Sequence, residues 1–270
     1  MTARRALLAL AALLLLAAPH APTAHADEPP SGLARPTPGQ EARMSPLELG
    51  RQLFAGNCAS CHGTDGRGVK PGGPTQAGAT PGAGPSLVGA GALAADFYLR
   101  TGYMPLNAPG DQPERHRVQF SEPEVKALVA YVASLGHGPP IPQVDTADAD
   151  LARGRELFTE HCAGCHQVVA QGGVVTGGRV PPLEKANARQ VAQAIRIGPY
   201  LMPAFTEHQL SDRDVADIAR YVEWTHRPDD AGGWGIGNLG PFPEGLVTWF
   251  VAITALIATC VVIAHRRKQA

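Results

Sequence analysis

The chain has 270 residues and 44% hydrophobic residues, so it is long enough for two ordinary domains and apolar enough to bury a core. The formal net charge of −1 excludes a basic nucleic-acid-binding protein, and five cysteines are too few for a disulfide-rich secreted scaffold. With 31 glycines, 25 prolines and only 17% charged residues, the chain is expected to contain long loops and extended linkers.

The N-terminus has the layout of a secretory signal peptide. Arg4 and Arg5 precede thirteen apolar residues, and the segment ends at Ala-His-Ala, residues 24–26, a small-x-small cleavage pattern. Thirteen helical residues span about 20 Å, short of the roughly 30 Å of a bilayer core, so cleavage after residue 26 is favoured over the alternative of a retained anchor. A Pro-containing linker is predicted over residues 27–44.

The body of the chain contains two copies of one pattern. Residues 50–62, which end in Cys-Ala-Ser-Cys-His, recur at an offset of 104 as residues 154–166, which end in Cys-Ala-Gly-Cys-His. Later, residues 120–132 recur at an offset of 90 as residues 210–222. Two homologous domains therefore fit the chain better than one large fold.

Both repeats are predicted to be helical. Ser45-Pro46-Leu47-Glu48 combines an N-cap, a proline at the first helical position and a glutamate placed for a capping box, and Ser121 and Ser211 offer similar starts for the closing helices. Nine of the sixteen residues from Lys70 to Pro85 are Gly or Pro, which predicts a loop, and no sustained alternation predicts a sheet. The expected class is all-α. The predicted segments are a domain over 45–137, a linker over 138–149 and a domain over 150–230.

The C-terminus reads as a membrane anchor. After a Gly/Pro-rich connector over residues 231–245, residues 246–264 form a run of nineteen without a charge, long enough to cross a bilayer. The tail, residues 265–270, begins His-Arg-Arg-Lys, so the positive-inside rule places it in the cytoplasm and both repeats outside. A buried helix of a soluble protein is the weaker alternative because the run has no polar face. Cys260, within this run, is expected only to pack.

The Cys-x-x-Cys-His motif is typical of covalent haem c attachment. Cysteines at i and i+3 share a face of a helical turn, and a histidine at i+4 lies beside the second cysteine, so two thiols and one imidazole can serve one porphyrin. A structural zinc site and a thioredoxin-type redox pair remain weaker alternatives, since the two pairs lie far apart in sequence and no βαβ pattern surrounds them. The sequence therefore predicts two covalently bound haem c groups. Their predicted attachment and axial residues are Cys58, Cys61 and His62 in the first repeat, and Cys162, Cys165 and His166 in the second.

Each iron needs a second axial ligand if it only carries electrons, and Met104 and Met202 are the candidates. Each follows its motif within the repeat and precedes a proline, which disfavours helix at the methionine and lets the thioether project from a loop. A soft sulfur ligand favours Fe(II) and raises the reduction potential. The other two methionines precede both motifs. Bis-histidine ligation is the alternative.

Each repeat resembles a class I cytochrome c domain, a small all-α fold wrapped round one haem. In that family a glycine and an aromatic residue on the first helix cross an aromatic residue on the last helix. The matching residues are Gly50, Phe54 and Tyr131 in the first repeat, and Gly154, Phe158 and Tyr221 in the second. The resemblance also implies that the carbonyl groups of Pro85 and Pro181 orient the two ligand histidines.

The chain as a whole resembles the dihaem cytochrome c subunit of the bcc-type quinol:cytochrome c oxidoreductase of actinobacteria. Two class I domains precede a glycine-rich connector and a Gly-Pro-x-x-Glu-Gly run, residues 240–245, that enters the single anchor. The resemblance implies a cell-membrane, electron-transfer subunit, partnered by cytochrome b and a Rieske iron–sulfur protein. Electrons would pass from the Rieske protein through both haems toward a terminal oxidase, with which the complex can form a supercomplex. Its enzyme class would come from the assembly, and no catalytic residue is expected in the chain.

Three rival functions stay open at the level of sequence. An anchored dihaem subunit of a periplasmic dehydrogenase would share the same electron-transfer chemistry. A dihaem peroxidase would need one iron with an open axial position, which the two methionines argue against. An assembly or sensory module predicts that the loss of either methionine leaves electron flux unchanged.

Overall fold

The computed structural model of the chain describes residues 32–70, 84–106, 111–228 and 241–269. Within these ranges two helical domains, each with its own hydrophobic core, precede one long apolar helix. The all-α prediction is confirmed. The predicted signal peptide lies outside the described residues, as do most of the Gly/Pro-rich loop and of the connector.

The described residues of the first domain form five helices. They are α1 (Pro38–Glu41), α2 (Pro46–Asn57), α3 (Ala59–His62), α4 (Gly91–Arg100) and α5 (Glu122–Ser134). The predicted caps form: the Ser45 hydroxyl accepts a hydrogen bond from the Glu48 amide, and Glu124 accepts one from the Ser121 amide at 2.7 Å. The single turn α1 lies inside the segment that the sequence predicted as a linker.

Helix α2 crosses α5 in close contact. A Cβ atom at Gly50 would overlap the backbone carbonyl of Ala127, so only glycine allows the two backbones to approach this closely. Beside this point, the rings of Phe54 and Tyr131 pack with centroids 5.1 Å apart. Leu53 and Leu128 are fully buried around the crossing. The crossing therefore holds the end of α2, where the first cysteine motif begins.

The second domain repeats this plan and adds a small hairpin. Its elements are α6 (Leu151–His161), α7 (Ala163–His166), β1 (Gly173–Val175), β2 (Gly178–Val180), α8 (Ala188–Ile197) and α9 (Asp212–His226). The strands pair antiparallel, with Val174 opposite Arg179. The sequence did not predict this hairpin because three residues per strand are too few to show alternation.

Helices α6 and α9 reproduce the crossing of the first domain. A Cβ atom at Gly154 would overlap the backbone carbonyl of Asp217, and the rings of Phe158 and Tyr221 lie 5.3 Å apart. Ile218 is completely buried beneath them. The two copies of the sequence pattern thus fold into two copies of the same helix pair.

The two domains pack directly through α4 and α8. Asp96 and Gln193 are 2% and 0% exposed, and the Gln193 amide donates to the Asp96 carboxylate at 2.8 Å. The same carboxylate accepts from the guanidinium of Arg100 at 2.6 Å. Because buried polar groups of this kind are costly to leave unpaired, these bonds favour one relative orientation of the domains.

The last helix, α10 (Pro241–Gln269), carries the apolar run. Its segment Gly245–Arg267 has a mean hydropathy of 2.5 and is not buried against the domains, so its length and composition suit a membrane span. Within it the hydroxyl groups of Thr254 and Thr259 donate to carbonyl oxygens one turn back, at 2.7 and 2.8 Å. The predicted span, residues 246–264, falls inside this segment, and Cys260 is exposed on it.

Candidate haem sites

Each Cys-x-x-Cys-His motif forms one tight turn at the end of the first helix of its domain. Cys58 ends α2 and begins α3, and the His62 amide donates to the Cys58 carbonyl at 2.9 Å. In the second domain the His166 amide donates to the Cys162 carbonyl, also at 2.9 Å. Two thiols and an imidazole are thereby held on one helical turn in both domains.

The structure fixes the tautomer of both motif histidines. The Nδ1 atom of His62 lies 2.8 Å from the carbonyl oxygen of Pro85, and that of His166 lies 3.2 Å from the carbonyl oxygen of Pro181. A carbonyl can only accept, so Nδ1 carries the hydrogen in each ring and the Nε2 lone pair of the neutral imidazole is left for a metal.

One cavity in the second domain is lined by all four of its predicted attachment and axial residues, Cys162, Cys165, His166 and Met202. Its walls are mostly apolar and come from α6, α8, α9 and the hairpin. They include Phe158, Leu183, Val191, Ile195, Ile218 and Val222. Among the described residues that line it there is no Asp or Glu. An apolar slot with sulfur and imidazole donors fits a porphyrin ring and its iron.

Burial shifts the pKa values of candidate donors in both domains. It raises the pKa of the Cys58 thiol to about 12 and that of the Cys162 thiol to about 11, with a smaller contribution from the second cysteine of each motif. Burial likewise lowers the pKa of His166, which keeps the imidazole neutral, the form that binds a metal.

In the first domain the position of each candidate ligand is described by its own hydrogen bonds. Met104 lies outside the helices, just after α4, and its amide donates to the Tyr98 carbonyl at 3.1 Å. Met202 is also non-helical. Residues 71–83 and 107–110, which border Pro85 and Met104 in sequence, lie outside the described part of the chain.

Sequence reasoning missed the contribution of the first domain to the cavity of the second. The cavity is also lined by five residues of the first domain: Phe97, Tyr103, Gln112, Pro113 and Arg115. No motif marks them, and two of them bind residues far away in sequence: Gln112 bonds to Arg179, 67 positions on, and Arg115 bonds to Gln190, 75 positions on. Only the docking of the domains brings them to the site.

Known proteins match both repeats. The cytochrome c family model matches residues 47–136, and the model described as cytochrome c oxidase, cbb3-type, subunit III matches residues 149–222. Two cytochrome c domains with intact attachment motifs confirm the predicted cofactors, two covalently bound haem c groups.

Similarity to curated proteins extends over most of the chain. The cytochrome bc1 complex cytochrome c subunit of Corynebacterium diphtheriae is 34% identical over 84% of this chain and 83% of that protein. The protein of the same name from Mycobacterium leprae is 35% identical over 86% of this chain and 81% of that protein. The cbb3-type cytochrome c oxidase subunit CcoP of Azospirillum sp. is 30% identical over 64% of this chain and 60% of that protein.

Proposed function

This chain belongs to the family of cytochrome bc1 complex cytochrome c subunits, and we propose that it receives electrons from a Rieske iron–sulfur protein and passes them through its two haems toward a terminal oxidase. It is a membrane-anchored haem c subunit of a bc1-like complex, with α10 as the anchor. Within that complex its neighbours are cytochrome b and the Rieske protein. The reductase activity then belongs to the assembly, and this chain supplies the electron-transfer part.

The proposed axial ligands are His62 with Met104 and His166 with Met202. One observation carries this assignment furthest: His166, Met202 and both cysteines of the second motif line one carboxylate-free cavity. A haem c iron with both axial positions filled exchanges one electron between Fe(III) and Fe(II) and offers no position to a substrate. The chain's own part is to orient the imidazoles through Pro85 and Pro181 and to exclude water.

The proposed domain limits follow the repeats. We place the haem domains at residues 45–137 and 150–230, joined by residues 138–149, after a signal peptide that ends at residue 26. The basic tail, residues 265–270, is proposed to lie in the cytoplasm, which puts both haem domains on the outer face of the cell membrane.

Isolation of the native membrane complex in mild detergent tests the proposal. We expect cytochrome b and a Rieske protein to copurify, together with oxidase subunits, and two covalent haem equivalents per chain by the pyridine haemochrome assay. Recovery with a dehydrogenase, and without cytochrome b, would support the rival electron-transfer role. Peroxide turnover by a persistent high-spin haem would support the peroxidase.

Protease protection tests the sidedness. In right-side-out vesicles the haem domains should be cleaved by added protease and an epitope after Ala270 should be protected. The reverse pattern would contradict the proposed topology.

A further inference from the structure

A segment of the first domain lies across the cavity of the second. The Gln112 side chain binds the backbone of Arg179 on β2 twice: its amide nitrogen donates to the carbonyl at 2.6 Å, and its oxygen accepts from the amide at 3.0 Å. Three residues later, Arg115 donates to the side-chain oxygen of Gln190 on α8 at 3.0 Å. The segment is thus attached to two different elements of the second domain.

Arg115 reaches the cavity with donors to spare. It is half-buried, it lines the cavity, and its single hydrogen bond in the described structure uses one of five N–H groups. Among the described residues it forms no ion pair. A partly buried guanidinium without a counter-ion is costly, and its planar set of donors suits a carboxylate.

The cavity needs a cation if its occupant carries acid groups. A haem has two carboxylate side chains, and the described lining residues include no Asp or Glu but do include Arg115 and Arg179. Arg179 is exposed, whereas Arg115 is half-buried between Gln190 and the cavity wall. Charge-assisted hydrogen bonds between an arginine and a carboxylate are stronger when partly desolvated.

We propose that Arg115, a residue of the first domain, binds a carboxylate of the second haem, so that the first domain completes the haem site of the second. This inference rests on the assignment of the cavity to the second haem. It makes the properties of that haem depend on the docking of the domains, which Asp96 and Gln193 hold in place.

Redox titration of the full-length protein in its complex tests the proposal. Arg115→Leu should lower the midpoint potential of one of the two haems, because an uncompensated carboxylate favours Fe(III). Arg115→Lys keeps the positive charge and should therefore keep a potential close to that of the wild type. The matched control is Arg117→Leu, which removes the same charge from an exposed position of the same segment that does not line the cavity. The control should titrate like the wild type.

Two further measurements make the result specific. In Met202→His the midpoint potential of the second haem should change, which identifies its transition in the titration. Arg115→Leu must shift the potential of that same haem. Resonance Raman bands of the haem carboxylates should change in Arg115→Leu and not in Arg117→Leu. If Arg115→Leu fails to retain the haem, Arg115→Gln must lower the same potential.

The proposal is overturned if Arg115→Leu, with both haems attached, keeps the wild-type potentials, if it shifts the first haem instead, or if Arg117→Leu has an equal effect. Failure of the proposed function is a separate result. It would be seen in the wild type, as the absence of cytochrome b and Rieske partners, whatever Arg115 does.

Discussion

The first haem domain and the second differ in how their motif histidine is surrounded. His166 is only 8% exposed and faces a cavity that residues of both domains line, whereas His62 is more exposed and its described contacts come from its own domain. The glycine crossings and motif turns are nevertheless the same. Identical attachment chemistry is thus set in two environments of different exposure, and burial and charge are what tune a haem potential. The two haems should therefore have different potentials.

Removal of the proposed thioether ligands should have the largest effect and tests whether the two sites share one coordination. If these methionines are the ligands, Met104→Ala and Met202→Ala should each open an axial position, lower the potential and change the spin state of that haem. Quinol oxidation by the purified complex should be nearly lost in both, and the visible spectrum should show one altered haem. Met44→Leu, before both motifs, is the control. A normal spectrum and full activity in either alanine variant would remove that methionine as a ligand.

The glycine crossings come next in size. Gly154→Ala forces a Cβ atom into the Asp217 carbonyl, and Gly50→Ala does the same at Ala127, so each should lower the free energy of unfolding by about 3 kcal/mol. Denaturant titration measures this. Gly164→Ala is the matched control, because nothing lies within 4 Å of its added Cβ atom. If Gly50→Ala and Gly154→Ala change the free energy of unfolding no more than Gly164→Ala does, close backbone approach is not what positions the motifs.

The sequence predicted those structural features that depend on residues close together along the chain. Motif turns and helix caps such as Ser45 follow from short spacings, and the two copies of the fold follow from the repetition of those short patterns along the chain. The Asp96–Gln193 hydrogen bond joins residues 97 positions apart, and no short-range pattern encodes it. The same holds for Arg115. The first-domain residues of the second haem site could not be predicted because they reach it only when the two domains dock.

The docking bond itself should have a moderate effect. Gln193→Leu removes the buried donor to Asp96, and should destabilise the joined domains by about 2 kcal/mol, as expected for a hydrogen bond to a charged group. The loss should be limited because the Gln193 oxygen, which has no hydrogen-bond partner among the described residues, is removed as well. Calorimetry should show the two domains unfolding less cooperatively. Arg51→Ala, which breaks an exposed ion pair with Glu48, should change little.

The smallest effect concerns an ion pair that both domains carry. Arg100 binds Glu122 with two hydrogen bonds, 2.6 and 2.8 Å, and Arg196 binds Asp212 at the equivalent position with one of 2.8 Å. The guanidinium of Arg100 lowers the pKa of Glu122 from 4.5 to about 2. A depressed folded-state pKa stabilises the fold above pH 4.5, and that contribution is lost as the pH falls through about 2.

Glu122→Gln should therefore flatten the dependence of stability on pH between 4.5 and 2, by a small amount because the Glu122 side chain is 54% exposed. Thermal unfolding followed by circular dichroism across this range measures the slope. Asp212→Asn is the matched variant in the second domain, and at neutral pH it should destabilise the fold less than Glu122→Gln, because its single hydrogen bond goes to a carboxylate that is 79% exposed. An equal or larger loss of stability in Asp212→Asn would mean that the second hydrogen bond between Arg100 and Glu122 does not make the pair of the first domain the stronger one.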